Sequence, residues 1–198
     1  MAFTDAQVEV AQKAQAVATL EPMSSFEDQN SLVATVASEI YEEEVQSLLV
    51  EEPWSFAKGQ VRLNHVDGEP EGRWTDVWQI PPKVNDRQVL AIRAITVNDI
   101  PIKFDRYDDK IFCDIGEDGV VIMDFIFRVS EDKWPPDFKM FVIYSLAALF
   151  AFAITRNAGL AEGLEFKADK KLKIARRNYS QGTSSKKVRT KRIVNRRF

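Results

Sequence analysis

The chain has one cysteine, Cys113, and one histidine, His65, in 198 residues. A single cysteine excludes an internal disulfide framework, and a single histidine excludes a metal centre built on several imidazoles. Glycine and proline, eight of each, are too few for a collagenous or low-complexity chain. The sequence has no Gly-rich phosphate loop, no CxxC, no HExxH and no nucleophile elbow. With no catalytic constellation, the chain is expected to be no enzyme and to need no cofactor and no metal. The start, MAFTDAQVEV, has neither the basic nor the apolar region of a secretory signal, which predicts synthesis in the cytoplasm.

The few reactive residues read as structural. Cys113 sits in an apolar, strand-like context and is expected to be a buried small side chain. His65 opens a polar segment running to Gly72 and reads as an exposed turn residue. Asp108-Asp109 and Glu117-Asp118 flank Gly or Lys in turns, where short carboxylates bond the backbone. Trp54, Trp74, Trp78 and Trp134, with Phe56, Phe104 and Tyr107, would need interleaved Lys and Arg to act as a base-stacking surface. Their neighbours are acidic or neutral, so they read as core and interface packing.

What the chain does have is one long uncharged run, MFVIYSLAALFAFAIT, from Met140 to Thr155. A helix apolar around most of its circumference is buried in protein or in a membrane. Sixteen residues at a rise of ~1.5 Å cover about 24 Å, short of the roughly 30 Å of bilayer hydrocarbon. The run is Ala-rich, holds Tyr144 and Ser145, and is entered through Trp134-Pro135-Pro136. It reads as the buried central helix of a helical bundle, with no membrane span.

The remaining elements follow from periodicity. Residues 5–20 form an Ala-rich helix capped by Thr4 or Asp5, with Val8, Ala11, Ala14 and Ala18 on one face. Residues 31–49 form a second helix, with Leu32, Val36, Ile40, Val45, Leu48 and Leu49 as its apolar face. Glu39 and Glu42 to Glu44 lie on its solvated side. Trp54 and Phe56 share a face if the chain is extended there. From Gly59 the period drops to two, and 59–130 reads as an antiparallel unit of five or six short strands. A last helix over 160–178 places Leu160, Leu164, Leu172 and Ala175 on one face. The predicted class is α+β: an antiparallel helical bundle (1–58 and 135–180), a small antiparallel β-domain (59–134) inserted between helices two and three, and an extended basic C-terminal arm (181–198). Trp54, Phe56, Trp78, Trp134, Phe138, Leu146, Leu149 and Phe150 are the expected core or subunit-packing residues.

The net charge of −3 conceals a segregation. Residues 167–198 hold thirteen Lys and Arg against one Asp, whereas the remainder holds fourteen basic and twenty-nine acidic residues. Such a tail seeks an acidic partner. The expected contacts are Lys186, Lys187, Arg189, Lys191, Arg192, Ile193, Arg196, Arg197 and Phe198. Ile193, Val194 and Phe198 are apolar anchors that a pure phosphate binder does not need, which favours docking on a protein. The alternative is a non-enzymatic nucleic-acid binder acting through the same tail.

The order of landmarks resembles one family. An Ala-rich helix ends in Leu20-Glu21-Pro22-Met23-Ser24-Ser25-Phe26, and an acidic helix runs into Trp54-Ser55-Phe56-Ala57. A strand pair leads to Trp78-Gln79-Ile80-Pro81. A Trp-Pro-Pro-x-Phe start then opens the helix with Leu146-Ala147-Ala148-Leu149-Phe150-Ala151. Across residues 7–156 this resembles the tail tubular protein A family, the head-to-tail adaptors of short-tailed bacteriophages. The resemblance implies a structural virion protein of the phage neck, assembled in the host cytoplasm. It implies a ring of identical copies, a dodecamer, under the portal protein. C-terminal arms would grip the portal, a nozzle resembling tail tubular protein B would sit below, and tail fibres would dock at the side. Genomic DNA would pass through the lumen, which an acidic body would keep from sticking.

Overall fold

The computed structural model describes residues 3–28, 31–67, 72–116 and 119–180. The class is α+β, with four helices and two antiparallel sheets among the described residues.

Helix α1 (Asp5–Val17) starts on a reciprocal cap between Thr4 and Gln7. The Gln7 amide donates to Thr4 Oγ1, and the Thr4 amide donates to Gln7 Oε1 at 2.8 Å. Val10, Ala11, Ala14 and Gln15 are its buried face. Gln15 is held inside because its Oε1 accepts from the Met23 amide at 2.8 Å, which fixes the connection to the next helix. Phe26 in that connection stacks on Phe3 at 3.9 Å between centroids and meets Tyr41 edge-on.

Helix α2 (Leu32–Glu51) buries Ala34, Ala37, Tyr41, Val45, Leu48 and Leu49. The expected face was right in its C-terminal half only. Leu32 is 66% exposed and Val36 and Ile40 are only partly covered. Tyr41 lies on the inward face instead, with Ala34, Ala37, Val45 and Leu48 at three- and four-residue steps, and its polar tip is satisfied there. Its hydroxyl donates to Glu131 at 3.2 Å.

Trp54, Ser55, Phe56 and Ala57 form a single tight helical turn, not a strand. Trp54 and Phe56 nevertheless lie together, with centroids 6.1 Å apart. The described residues then build nine strands in two sheets, more than the single unit of five or six that the pattern suggested. The first sheet holds β1 (Lys58–Arg62), β4 (Lys83–Val84), β5 (Arg87–Val97), β6 (Ile100–Pro101) and β9 (Val121–Phe127), in the order β1-β9-β5-β4 with β6 on β5. The second holds β2 (Asn64–His65), β3 (Asp76–Gln79), β7 (Asp105–Tyr107) and β8 (Lys110–Cys113), in the order β2-β3-β8-β7. The hairpins β4–β5 and β5–β6 turn on Asn85-Asp86 and Asn98-Asp99, all four at positive φ. That is the conformation a two-residue hairpin of right-handed twist requires, and Asn and Asp adopt it at low cost. Register shifts in β5 at Leu90 and Arg93 mark bulges. Ile95, Val121 and Met123 of the first sheet share one buried cluster with Trp78, Ile111 and Cys113 of the second.

Helix α3 (Pro136–Phe150) starts at Pro135-Pro136, where the missing amide protons cost nothing. It continues into a wider helical turn over Ala151–Thr155 and stops at Arg156, which is left-handed. Helices α1, α2 and α4 (Ala158–Ser180) all pack on α3. The Asn157 carboxamide caps α4 by accepting from the Leu160 amide at 3.0 Å. Ala161, Leu164, Ala168, Leu172 and Ala175 form the buried face of α4. Small residues here and at Ala147, Ala148 and Ala151 let α3 and α4 approach closely.

Candidate functional site

The residues expected at the core divide clearly. Trp54, Trp78, Trp134, Phe138, Leu146 and Phe150 are buried, and Phe56 is half-buried. Leu149 is 37% exposed, so it belongs to the surface rather than the interior. It lies one turn before Phe152, which is 66% exposed. The outward position follows from helix period: Leu146, Ala147 and Phe150 face inward, so residue 149 faces away.

Trp54, Phe56, Trp134 and Phe138 meet in one aromatic joint between the helical layer and the sheets. Phe138 lies 5.0 Å from both Trp54 and Phe56 and 5.4 Å from Trp134, all edge-to-face. Both indole N–H groups are satisfied by carbonyls 3.0 Å away, Trp54 on Leu48 and Trp134 on Val129. Tyr179 near the end of α4 closes the joint, 5.8 Å from Phe56. One turn earlier Arg176 pairs with Glu51 at 3.0 Å and Glu52 at 2.8 Å. The chain therefore leaves α4 toward residue 181 beside the Glu51–Ala57 linker. Lys186, Lys187, Arg189, Lys191, Arg192, Ile193, Arg196, Arg197 and Phe198 lie outside the described residues, as do Gly68 and Glu117-Asp118. The basic character already begins on α4, where Lys170, Lys173 and Arg177 share an exposed stripe with Phe166. Lys170 sits over the Phe166 ring at 4.2 Å.

A charged network joins α2 to the end of β9. Arg128 donates to Glu42 at 2.7 and 3.0 Å and to Glu131 at 2.5 Å, with its guanidinium over the Trp134 ring. Burial alone would raise the Glu42 carboxyl, but hydrogen bonds from Arg128 and Gln46 and the charge of Arg128 hold it below the usual carboxylate range. Glu42 is thus a structural partner, not part of a purely solvated face. Glu44 is raised instead, by burial and then by Glu51. A cleft of about 730 Å³ opens over this network between Gln7, Glu42, Gln46 and Arg128.

His65 is not an exposed turn residue. It stands on β2, its ring 5.1 Å from Trp78, with Nε2 3.6 Å from Asp76. Asp76 is buried. Burial would raise its carboxyl, yet hydrogen bonds from Thr75 and from the Gly116 and Ile115 amides, with His65 nearby, lower it. Burial, then the Asp76 and Asp114 carboxylates, push the neighbouring Cys113 thiol up to about 11. A thiol so protonated is a poor nucleophile. No group of three or more His, Cys, Asp or Glu is placed to hold a metal among the described residues.

Two further clefts lie on the β part. One of about 630 Å³ runs between Arg73, Trp74, Lys103, Phe104 and Asp105. Asp105 there accepts from Arg73, Trp74 and Tyr107, and these bonds hold it low. The other, of about 580 Å³, lies between Pro53, β1, Arg93 and Asp124. Residues 136–155 form one helix long and apolar enough to cross a membrane by length and composition, and half of that stretch is buried within the fold. No family model matches the chain, and no curated protein matches it.

Proposed function

We propose that this protein is a non-enzymatic head-to-tail adaptor of a short-tailed phage. Copies form a ring that joins the portal vertex to the tail nozzle and encloses part of the DNA ejection channel. In this reading the helices make the ring body, and the β part is an insertion between α2 and α3. Residues 181–198 are the arm that docks on the portal.

The observation that carries the reading is the aromatic joint. Two of the motifs in the ordered set that carries the resemblance, Trp54-Ser55-Phe56-Ala57 and Trp134-Pro135-Pro136-x-Phe138, are 80 residues apart and meet at that joint. The basic C-terminal segment departs from the same place, past Tyr179. A joint that ties the helical body to the inserted β part is what an adaptor needs. Uncovered apolar side chains, Leu149, Phe152 and Phe166 with Leu32 on α2, supply surface for contacts between copies. The membrane-length helix serves as the centre of each copy, with α1, α2 and α4 around it.

The test is to mix the purified protein with its cognate portal and image the mixture by electron microscopy. Ring-shaped density on the portal is expected, and its absence would sink the proposal. Truncation after Ser180 should abolish docking. A second reading, nucleic-acid binding, is favoured by the Lys170–Lys173–Arg177 stripe that continues into the basic tail. It requires DNA affinity that falls steeply with salt, weakens in the same truncation and is lost when Lys170, Lys173 and Arg177 are also replaced by Glu.

A further inference from the structure

Apart from the basic stripe on α4, the β part carries a surface of opposite sign to the acidic body. In β1, Lys58, Gln60 and Arg62 are exposed on one face, and Arg93 from the β5 bulge reaches the same side, where it donates to the Val50 carbonyl. The lone carboxylate in this group is Asp124, partly buried, whose Oδ1 has no hydrogen-bond partner among the described residues. Lys58, Arg62 and Arg93 form no ion pair among the described residues. On the linker, Glu51 and Glu52 share one cation, Arg176.

This patch borders an unfilled sheet edge. Only β9 pairs with β1 among the described residues, in the register Lys58↔Ile126 to Arg62↔Ile122. The Leu63 amide donates to the Val121 carbonyl at 2.9 Å, so odd-numbered residues turn their backbone groups toward β9. In an antiparallel ladder the alternate residues point the other way. Lys58, Gln60 and Arg62 therefore direct their amides and carbonyls outward. The cavity of about 580 Å³ runs along Lys58, Gly59 and Gln60.

We propose that the β1 edge and this cavity are a docking site for an extended acidic segment of a partner protein, added as a further strand. The occupant's chemistry follows from charge. Alternate side chains of an incoming strand fall on the face of Lys58 and Arg62, where carboxylates are favoured and cations are repelled. That excludes the chain's own basic tail. It also disfavours β1 of a second copy, which would set Lys58 against Arg62 in antiparallel pairing. Backbone hydrogen bonds supply affinity and the cation row supplies sign and register. This site is independent of the adaptor reading.

The test uses full-length protein and fluorescein-labelled, end-blocked ten-residue peptides of alternating Glu and Val, or Lys and Val, followed by anisotropy. The Glu peptide should bind at least tenfold more tightly than the Lys peptide. Lys58→Glu with Arg62→Glu should reverse that order. Gln60→Pro, which removes an outward amide and no inner ladder bond, should weaken the Glu peptide at least tenfold. N-methylation of alternate peptide amides should do the same with unaltered protein, should Gln60→Pro fail to fold. Equal binding of the two peptides, no binding of either, or full binding of the N-methylated peptide would each overturn the proposal.

Discussion

Arg128, at the end of β9, grips Glu42 of α2 with two hydrogen bonds of 2.7 and 3.0 Å, across 86 residues of sequence. The same guanidinium reaches Glu131, which is 3% exposed and also accepts from Tyr41. One cation thus locks a sheet, a helix and the linker into α3 together.

Removing that cation leaves a buried carboxylate without its charge partner. Arg128→Ala should lower unfolding free energy by about 2–4 kcal/mol in urea titration, allowing for the partial exposure of Glu42. Tyr41→Phe loses one neutral-to-charged bond and should cost about 1–2 kcal/mol. An Arg128→Ala variant as stable as the parent would show that the network is not structural.

Two lowered carboxyls, one in this network and one on β3, set an acid limit. The folded Glu42 carboxyl titrates below its ordinary value of 4.5, and Asp76 below 3.8. A group depressed in the folded state stabilises above its unfolded pKa, and the gain is lost as pH falls through the folded value. Stability should therefore be flat near neutrality and fall below about pH 4.5, with a shallower fall in Glu42→Gln. Thermal melts from pH 7 to pH 3 read this directly.

Gly59 lies against the Phe125 ring, where an added Cβ would come within 2.7 Å of Cζ. Phe125 is 3% exposed, so its ring must shift within the packed sheet to admit the methyl group. Gly59→Ala should cost about 1–3 kcal/mol, and Gly59→Ala with Phe125→Leu should recover part of it.

Cys113 is buried with a thiol near 11. Native protein at pH 8 should not react with a disulfide reagent over minutes, and urea-unfolded protein should react fully. Rapid labelling of the native state would contradict the packing of β8 against β3.

Phe152 protrudes from the turn after α3 with 66% of its surface exposed. Phe152→Ser should change monomer stability by no more than about 0.5 kcal/mol. On the adaptor reading it should still reduce ring formation on the portal. Unaltered ring yield would move the contact between copies elsewhere.

Much of this was legible in the residues alone. Pattern and capping located the four helices of the described residues, because apolar residues at three- and four-residue steps mark a helix even where distant contacts decide which of its faces is buried. They also placed the β9 strand and the turn at Asp108, and they marked the Met140–Thr155 run as the centre of the helical layer. Charge segregation is a property of composition and needed no structure. Some misses had a local signal: the paired Asn-Asp turns at 85–86 and 98–99 announce the short hairpins of β5.

Other features had no local signal. Tyr41 faces inward while Leu32 is exposed, and its polar tip is satisfied by a carboxylate 90 residues away. Glu42 looked solvated because its cation lies on another strand, and His65 looked exposed because Trp78 and Asp76 reach it only through sheet pairing. The cation row of Lys58, Arg62 and Arg93 is scattered in sequence and becomes one surface when β1 and β5 flank β9. Periodicity, caps and net charge are short-range or additive quantities, and the amino-acid order alone determines them. Which side of a helix wins the core, which charges pair and which strand edge stays open depend on contacts between distant residues, and only the tertiary structure decides those.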